Sequence, residues 1–264
     1  MVAMLALMLA GCQTTKDSTG TGAANSASYE ALMRLADTTR GQGDLYTAAT
    51  LYRRAHAANG ARVEPLLGLG DVLIDQGTPR EALDIWRQAL ALDSGSAAAL
   101  RGYGRALLAL DQPEEAARQY AAVLASDPKD RRALNGLGVS KDMMGDHNGA
   151  QERFRAALAL APDDRTTLNN LGFSHLLAGN AAEAIRILEP LGRAPTASAL
   201  QRQNLALAYG LAGRDEDAAR MGRLDLGEAE VQRNLLYYRQ AREGAGDTPA
   251  AAPRPQVLVA PAKK

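Results

Sequence analysis

Apolar and small residues in the central part of this chain return at helical spacing and then repeat as whole blocks. Between residues 131 and 164, Leu134, Leu137, Gly138 and Lys141 stand at i, i+3, i+4 and i+7, the positions of one helix face. Gly145 and Asp146 break that helix. Ala150, Phe154 and Ala157 then line the inner side of a second, and Pro162 stops it. The block recurs every 34 residues: Gly70, Gly104, Gly138 and Gly172 keep that step, as do Ala48, Ala82, Ala116, Ala150, Ala184 and Ala218, and so do Pro128 and Pro162. Counting from Tyr29 gives six units without insertions, at 29–62, 63–96, 97–130, 131–164, 165–198 and 199–232. A single helical hairpin of this kind cannot bury its own apolar face. The units must therefore stack into a continuous array with a concave side. A further helix is predicted over Glu228–Arg242, with Val231, Leu235 and Tyr238 on the side that covers the open end.

The block length and the places of its glycines, alanines, aromatics and prolines resemble the tetratricopeptide repeat family across about four-fifths of the chain. The resemblance implies an all-α fold, an α-solenoid of six tetratricopeptide-type hairpins with a C-terminal capping helix. The first and sixth units depart from the pattern. Ala36 and Gly60 replace the glycine and proline of the first, and Ala206 and Gly222 replace the glycine and aromatic of the sixth. End units of such arrays are commonly atypical.

Composition narrows the function. Hydrophobic residues are 46% of the chain but aromatics only 4%, as close helix packing through alanine requires. Thirty basic and thirty acidic residues cancel, which removes the charge footprint of a nucleic-acid or anionic-bilayer binder. A partner must be recognised by shape and local contacts.

The single cysteine, Cys12, follows an apolar stretch and the box Leu9, Ala10, Gly11, and a polar run begins at Gln13. This reads as the end of a bacterial lipoprotein signal over residues 1–11, although no basic residue precedes Cys12, so the true start is expected upstream of Met1. Acylation of Cys12 supplies enough hydrocarbon for stable anchoring. Gln13, rather than aspartate, directs such proteins to the periplasmic face of the outer membrane. Residues 12–28 are expected to be a flexible tether, 29–242 the array with its cap, and 243–264 a disordered tail.

No catalytic, metal or cofactor site is expected. His56, His147 and His175 are far apart and suit packing or surface roles, and the array leaves no residues of this sequence for a catalytic domain. The binding surface is expected on the concave face of the first helices. In the first three units that face carries charge, at Asp37, Arg40, Asp71, Asp75, Arg101 and Arg105. In the last three it turns apolar, with Val139, Phe173 and Leu207 at one register and Met143, Leu177 and Leu211 at another. Asn135 with Asn169, and Asn170 with Asn204, are 34-residue pairs beside this strip, and their carboxamides suit the backbone of an extended peptide. The competing expectation is that these apolar side chains pack between neighbouring first helices.

The block Arg202–Arg242, RQNLALAYGLAGRDEDAARMGRLDLGEAEVQRNLLYYRQAR, resembles the terminal block of the TadD family, pilotin-like assembly lipoproteins of the tight-adherence (Flp) pilus. That resemblance implies a protein partner, a secretin or another pilus assembly component. The alternative is a general periplasmic scaffold for envelope or peptidoglycan-associated proteins.

Overall fold

The computed structural model describes residues 19–244, and the structural statements that follow concern those residues. They form thirteen helices: α1 (Thr19–Gly41), α2 (Leu45–Ala58), α3 (Glu64–Asp75), α4 (Pro79–Leu92), α5 (Ala97–Ala109), α6 (Pro113–Ser126), α7 (Arg131–Met143), α8 (His147–Leu160), α9 (Arg165–Leu177), α10 (Ala181–Gly192), α11 (Ala199–Leu211), α12 (Asp215–Gly222) and α13 (Glu228–Arg242). Consecutive helices pair into six hairpins that fall on the six units, and α13 follows them with Val231, Leu235 and Tyr238 buried, as its pattern predicts. This is a tetratricopeptide-type α-solenoid.

The polar run before Tyr29 is where sequence and structure differ. α1 begins at Thr19, so the tether expected through residue 28 is helical over its last ten positions, 19–28. Extending a helix that is already nucleated adds a backbone hydrogen bond per residue without a new nucleation cost, so amphipathic periodicity is not required there. The signal expected at 1–11, Cys12 and the tail beyond Gly244 lie outside the described residues.

Local chemistry sets the boundaries. The side chains of Asp44, Ser96, Asp130, Asp146, Asp164 and Ser198 each accept a backbone N–H of the helix they precede. Pro79 and Pro113 open α4 and α6, where a missing N–H costs nothing. Within each hairpin the chain reverses through one residue with positive φ, at Gly43, Gly77, Gly145, Gly179 and Gly213. The member of this series in the third unit is Asp111, at φ 59°. Aspartate tolerates that region better than most residues, which explains why the period survives the exchange.

One large side chain on the second helix of each of the first five units, Tyr52, Trp86, Tyr120, Phe154 or Leu188, fills the space between helices. Glycines make room for it. A Cβ at Gly138 would sit 2.5 Å from the Phe154 ring, one at Gly172 2.5 Å from Leu188, and one at Gly68 2.5 Å from the Tyr52 ring. Trp86 lies against both Gly70 and Gly102, and Tyr120 against Gly104 and Gly136. The glycines at 68, 102 and 136 belong to the unit that follows the ring. At the same register the next two units carry Asn170 and Asn204. The side chains before them, Phe154 and Leu188, lack the hydroxyl or indole edge of Tyr52, Trp86 and Tyr120, which leaves space for a carboxamide. In the sixth unit Gly222 provides no such side chain, and Val231 of α13 packs there instead.

First helices touch the first helices of the next unit, from α1 with α3 through to α11 with α13, whereas no pair of second helices from neighbouring units comes as close. A stack that is tight along one side and open along the other curves, and the first helices form its inner face. The buried apolar residues divide into two clusters. The larger runs from Ala36 to Leu171 and the smaller from Leu176 to Tyr238, so the seam falls within α9.

Candidate functional site

The expected groove residues come together along α7, α9 and α11, but many of them are occupied by one another. Asn170 donates from Nδ2 to Oδ1 of Asn135 at 3.1 Å, and Asn204 to Asn169 at 3.0 Å. The contacts join positions 35 apart, not 34, because neighbouring first helices meet on a diagonal. Asn169 and Asn204 are 4% and 8% exposed. This corrects the expectation of a free carboxamide ladder: the asparagines tie adjacent first helices, with capacity for a partner left mainly on half-buried Asn135 and Asn170.

The apolar registers are similarly drawn inward. Val139 is 7% exposed and belongs to the larger core. Met143 packs against the same core, and Phe173, Leu207 and Leu211 are half-buried against the smaller one. Leu177 alone among these six is exposed, at 38%. Packing between first helices therefore accounts for most of the strip.

The charged half is self-neutralised. Arg40 reaches Asp71 at 3.2 Å and Asp75 at 3.3 Å, Arg105 also pairs with Asp71, and Arg101 pairs with Asp130. The Tyr52 hydroxyl donates to Asp37 at 2.5 Å. The links of Arg40 and Arg105 cross from one unit to the next, that of Tyr52 joins the two helices of one hairpin, and that of Arg101 reaches from α5 to the residue that caps α7. They are partly shielded from water, where an ion pair is screened less than at an open surface. They hold the register of the stack rather than presenting loose charge.

Where the two halves meet, the inner face opens into a hollow of about 660 Å³. Three registers from three successive units line it: Leu67, Arg101 and Asn135; Asp71, Arg105 and Val139; Ala98, Arg132 and Thr166. Trp86 and Tyr120 form part of its wall, and Arg131, Pro162, Asp163 and Asp164 its border. Arg131, Arg132, Trp86 and Tyr120 are lining residues that the sequence reading did not select. Arg132 was accessible in principle, since it shares the step of Ala98 and Thr166. The rings were not, because the pattern assigns them wholly to the core.

The histidines do not form a reactive group. His147 Nδ1 lies 2.9 Å from Asp142 Oδ1, and Ser174 donates to the same oxygen at 2.8 Å, so serine and histidine share a carboxylate without activating each other. Burial pushes the Asp142 carboxyl above the usual carboxylate value. His175 is buried with neither ring nitrogen bonded. Burial holds its pKa below the ordinary histidine value; Glu183 opposes this, and Arg155 and Arg186 add to it. The fold thus accepts the neutral ring. Above about pH 6.5 both folded and unfolded chains carry it neutral, and below that the unfolded chain takes up the proton first, so stability falls as the pH drops. His175→Leu, which copies Leu73 and Leu107 at the same register, is expected to flatten this acid-side fall. It should also raise stability at neutral pH by about 1–3 kcal/mol by removing unsatisfied nitrogens. Urea unfolding of both proteins between pH 7.5 and pH 5 measures it; equal slopes against pH would show that His175 does not titrate in this way.

Residues 73–138 and 143–203 match the family model described as Tetratricopeptide repeat. No curated protein matches the chain. Among solved structures, the chain is similar to a tetratricopeptide repeat protein from Parabacteroides merdae, with 18% identity, TM-score 0.66, and coverage of 80% of this chain and 84% of that one. It is also similar to pilF of Pseudomonas aeruginosa, with 20% identity, TM-score 0.64, and coverage of 81% and 99%. A third is MamA from Desulfovibrio magneticus RS-1, with 21% identity, TM-score 0.54, and coverage of 62% and 92%. At these identities the likeness is one of fold. No catalytic family is indicated.

Proposed function

We propose that this tetratricopeptide-repeat solenoid is a lipid-anchored scaffold at the periplasmic face of the outer membrane, where it binds a secretin or another component during assembly of a tight-adherence pilus. A tetratricopeptide array is a scaffold for protein interaction, and the observation that carries this reading is the inner face itself. The described helices are consumed by one stack, and its first helices leave a lined hollow open to a partner. The envelope location is supported by the Leu9–Cys12 box and Gln13. The pilus role is supported by the Arg202–Arg242 block, whose residues form α11, α12 and the closing α13. Exposed Leu177, with half-buried Phe173, Leu207 and Leu211, offers further apolar contact on the first helices of the last two units.

Two measurements test the proposal together. Cys12→Ser is expected to leave the thermal melt unchanged while moving the protein from sedimenting membranes to the soluble periplasmic fraction. In vivo cross-linking followed by purification of the anchored protein is expected to recover the secretin. A Cys12→Ser protein that still sediments with outer membranes removes the anchor. Recovery of peptidoglycan-associated proteins without a secretin replaces the pilus role with that of a general envelope scaffold.

A further inference from the structure

Two donors in the wall of the hollow have no acceptor among the described residues. They are the indole Nε1–H of Trp86, a side chain 2% exposed, and the Nε–H of Arg105, which is 8% exposed. Neither group can accept a hydrogen bond, so turning or re-pairing among themselves cannot satisfy them. The first unit shows how the same register is completed elsewhere: the Tyr52 hydroxyl on the second helix donates to Asp37 on the first. In the second unit the carboxylate at the register of Asp37 is Asp71, and it is taken by Arg40 and Arg105 instead. Trp86 is left without the partner that its register supplies to Tyr52.

Charge at the mouth points the same way. Four arginines and three aspartates line the hollow. Asp71 is held by arginines, and Asp164 by the α9 backbone and the Thr167 hydroxyl. Arg101 is matched by Asp130. The side chains of Arg131 and Arg132 are exposed and make no hydrogen bond or ion pair with any described residue. Asp163, at the opposite border, offsets only part of this. An entering neutral carbonyl would satisfy a donor but gain less from the two guanidiniums, having no charge to pair with theirs. A carboxylate gains from both, and charge-assisted bonds to arginine are the stronger kind.

We propose that the hollow receives an acidic side chain from an extended segment of the protein partner, with Trp86 and Arg105 as buried donors and Arg131 and Arg132 as the pair that admits the charge. The apolar walls at Leu67, Ala98 and Val139 accommodate the stem of that side chain. This rests on the protein-binding reading above and names what the groove recognises.

Trp86 is the only tryptophan of the chain, so its fluorescence reports on this hollow alone. The full chain is titrated with a short extended glutamate-rich peptide that lacks tryptophan, and with its glutamine counterpart. The glutamate peptide is expected to bind and change Trp86 emission, and the glutamine peptide to bind at least roughly tenfold more weakly, on the scale of one lost charge-assisted bond. Arg131→Gln together with Arg132→Gln, both at exposed positions, is expected to weaken the glutamate peptide by a similar factor without lowering the melting temperature. Equal binding of the two peptides, binding that leaves Trp86 emission unchanged, unaltered affinity in the arginine variant, or no binding at all overturns the inference. Recovery of a secretin by a protein that ignores the glutamate peptide sinks this inference and leaves the pilus role. Peptide binding without a secretin does the reverse.

Discussion

Replacing Trp86 with alanine is expected to destabilise the solenoid by about 3–5 kcal/mol, the range for deleting a buried aromatic side chain that the surroundings cannot close over. The surroundings here are unusually unable to close. Trp86 is held between Gly70 of its own unit and Gly102 of the next, and neither glycine has a side chain to move into the gap. The loss should also be uneven along the chain. Trp86 belongs to the cluster that ends at Leu171, and the cluster from Leu176 to Tyr238 does not contain it. Stability in a stack of repeats is a sum over units and their nearest neighbours, so the damage should stay mostly on the N-terminal side of α9. Hydrogen exchange should show faster opening in α3 to α6 and little change in α11 to α13. Trp86→Phe, which keeps a ring in the gap, should recover much of the difference. Uniform loss of protection from α1 to α13 would mean that the two cores open as one.

The second large effect is expected from Gly138→Leu. A bare Cβ there would already stand 2.5 Å from the Phe154 ring, inside any real carbon contact, and leucine adds three more carbons in the same direction. Overpacking of this kind typically costs about 1–3 kcal/mol, occasionally more. Phe154 has no free side on which to retreat, being fully buried in the larger core. A calorimetric melt measures the change. A simultaneous Phe154→Ala exchange should return part of it, because the removed ring is the clashing partner, and non-additivity between the two substitutions identifies the contact. An unchanged melt for the single variant would mean that Gly138 does not sit in this interface.

The sequence by itself determined the units, their boundaries and the capping helix. Each rests on information local in the chain: a helical apolar face, a breaker at Gly145 and Asp146, and a 34-residue step that the structure follows from α2 to α12. Even the positive-φ reversals keep that step, with Asp111 in place of glycine. Only the first ten residues of α1, 19–28, escaped, because extending a formed helix leaves no periodic trace. Which concave residues remain open to a partner was decided only by tertiary structure. The step puts Asn135, Asn169, Asn170 and Asn204 on the first helices, yet neighbouring helices meet on a diagonal, and each 35-residue contact occupies one end of both carboxamides it joins. Likewise Arg40, Arg101 and Arg105 read as free charge until the fold brings Asp71, Asp75 and Asp130 beside them, while Arg131 and Arg132 are left without such partners. Periodicity fixes the direction in which a side chain points. Whether it arrives at water or at a partner depends on the spacing between units, which long-range packing of Trp86, Tyr120 and their glycines sets.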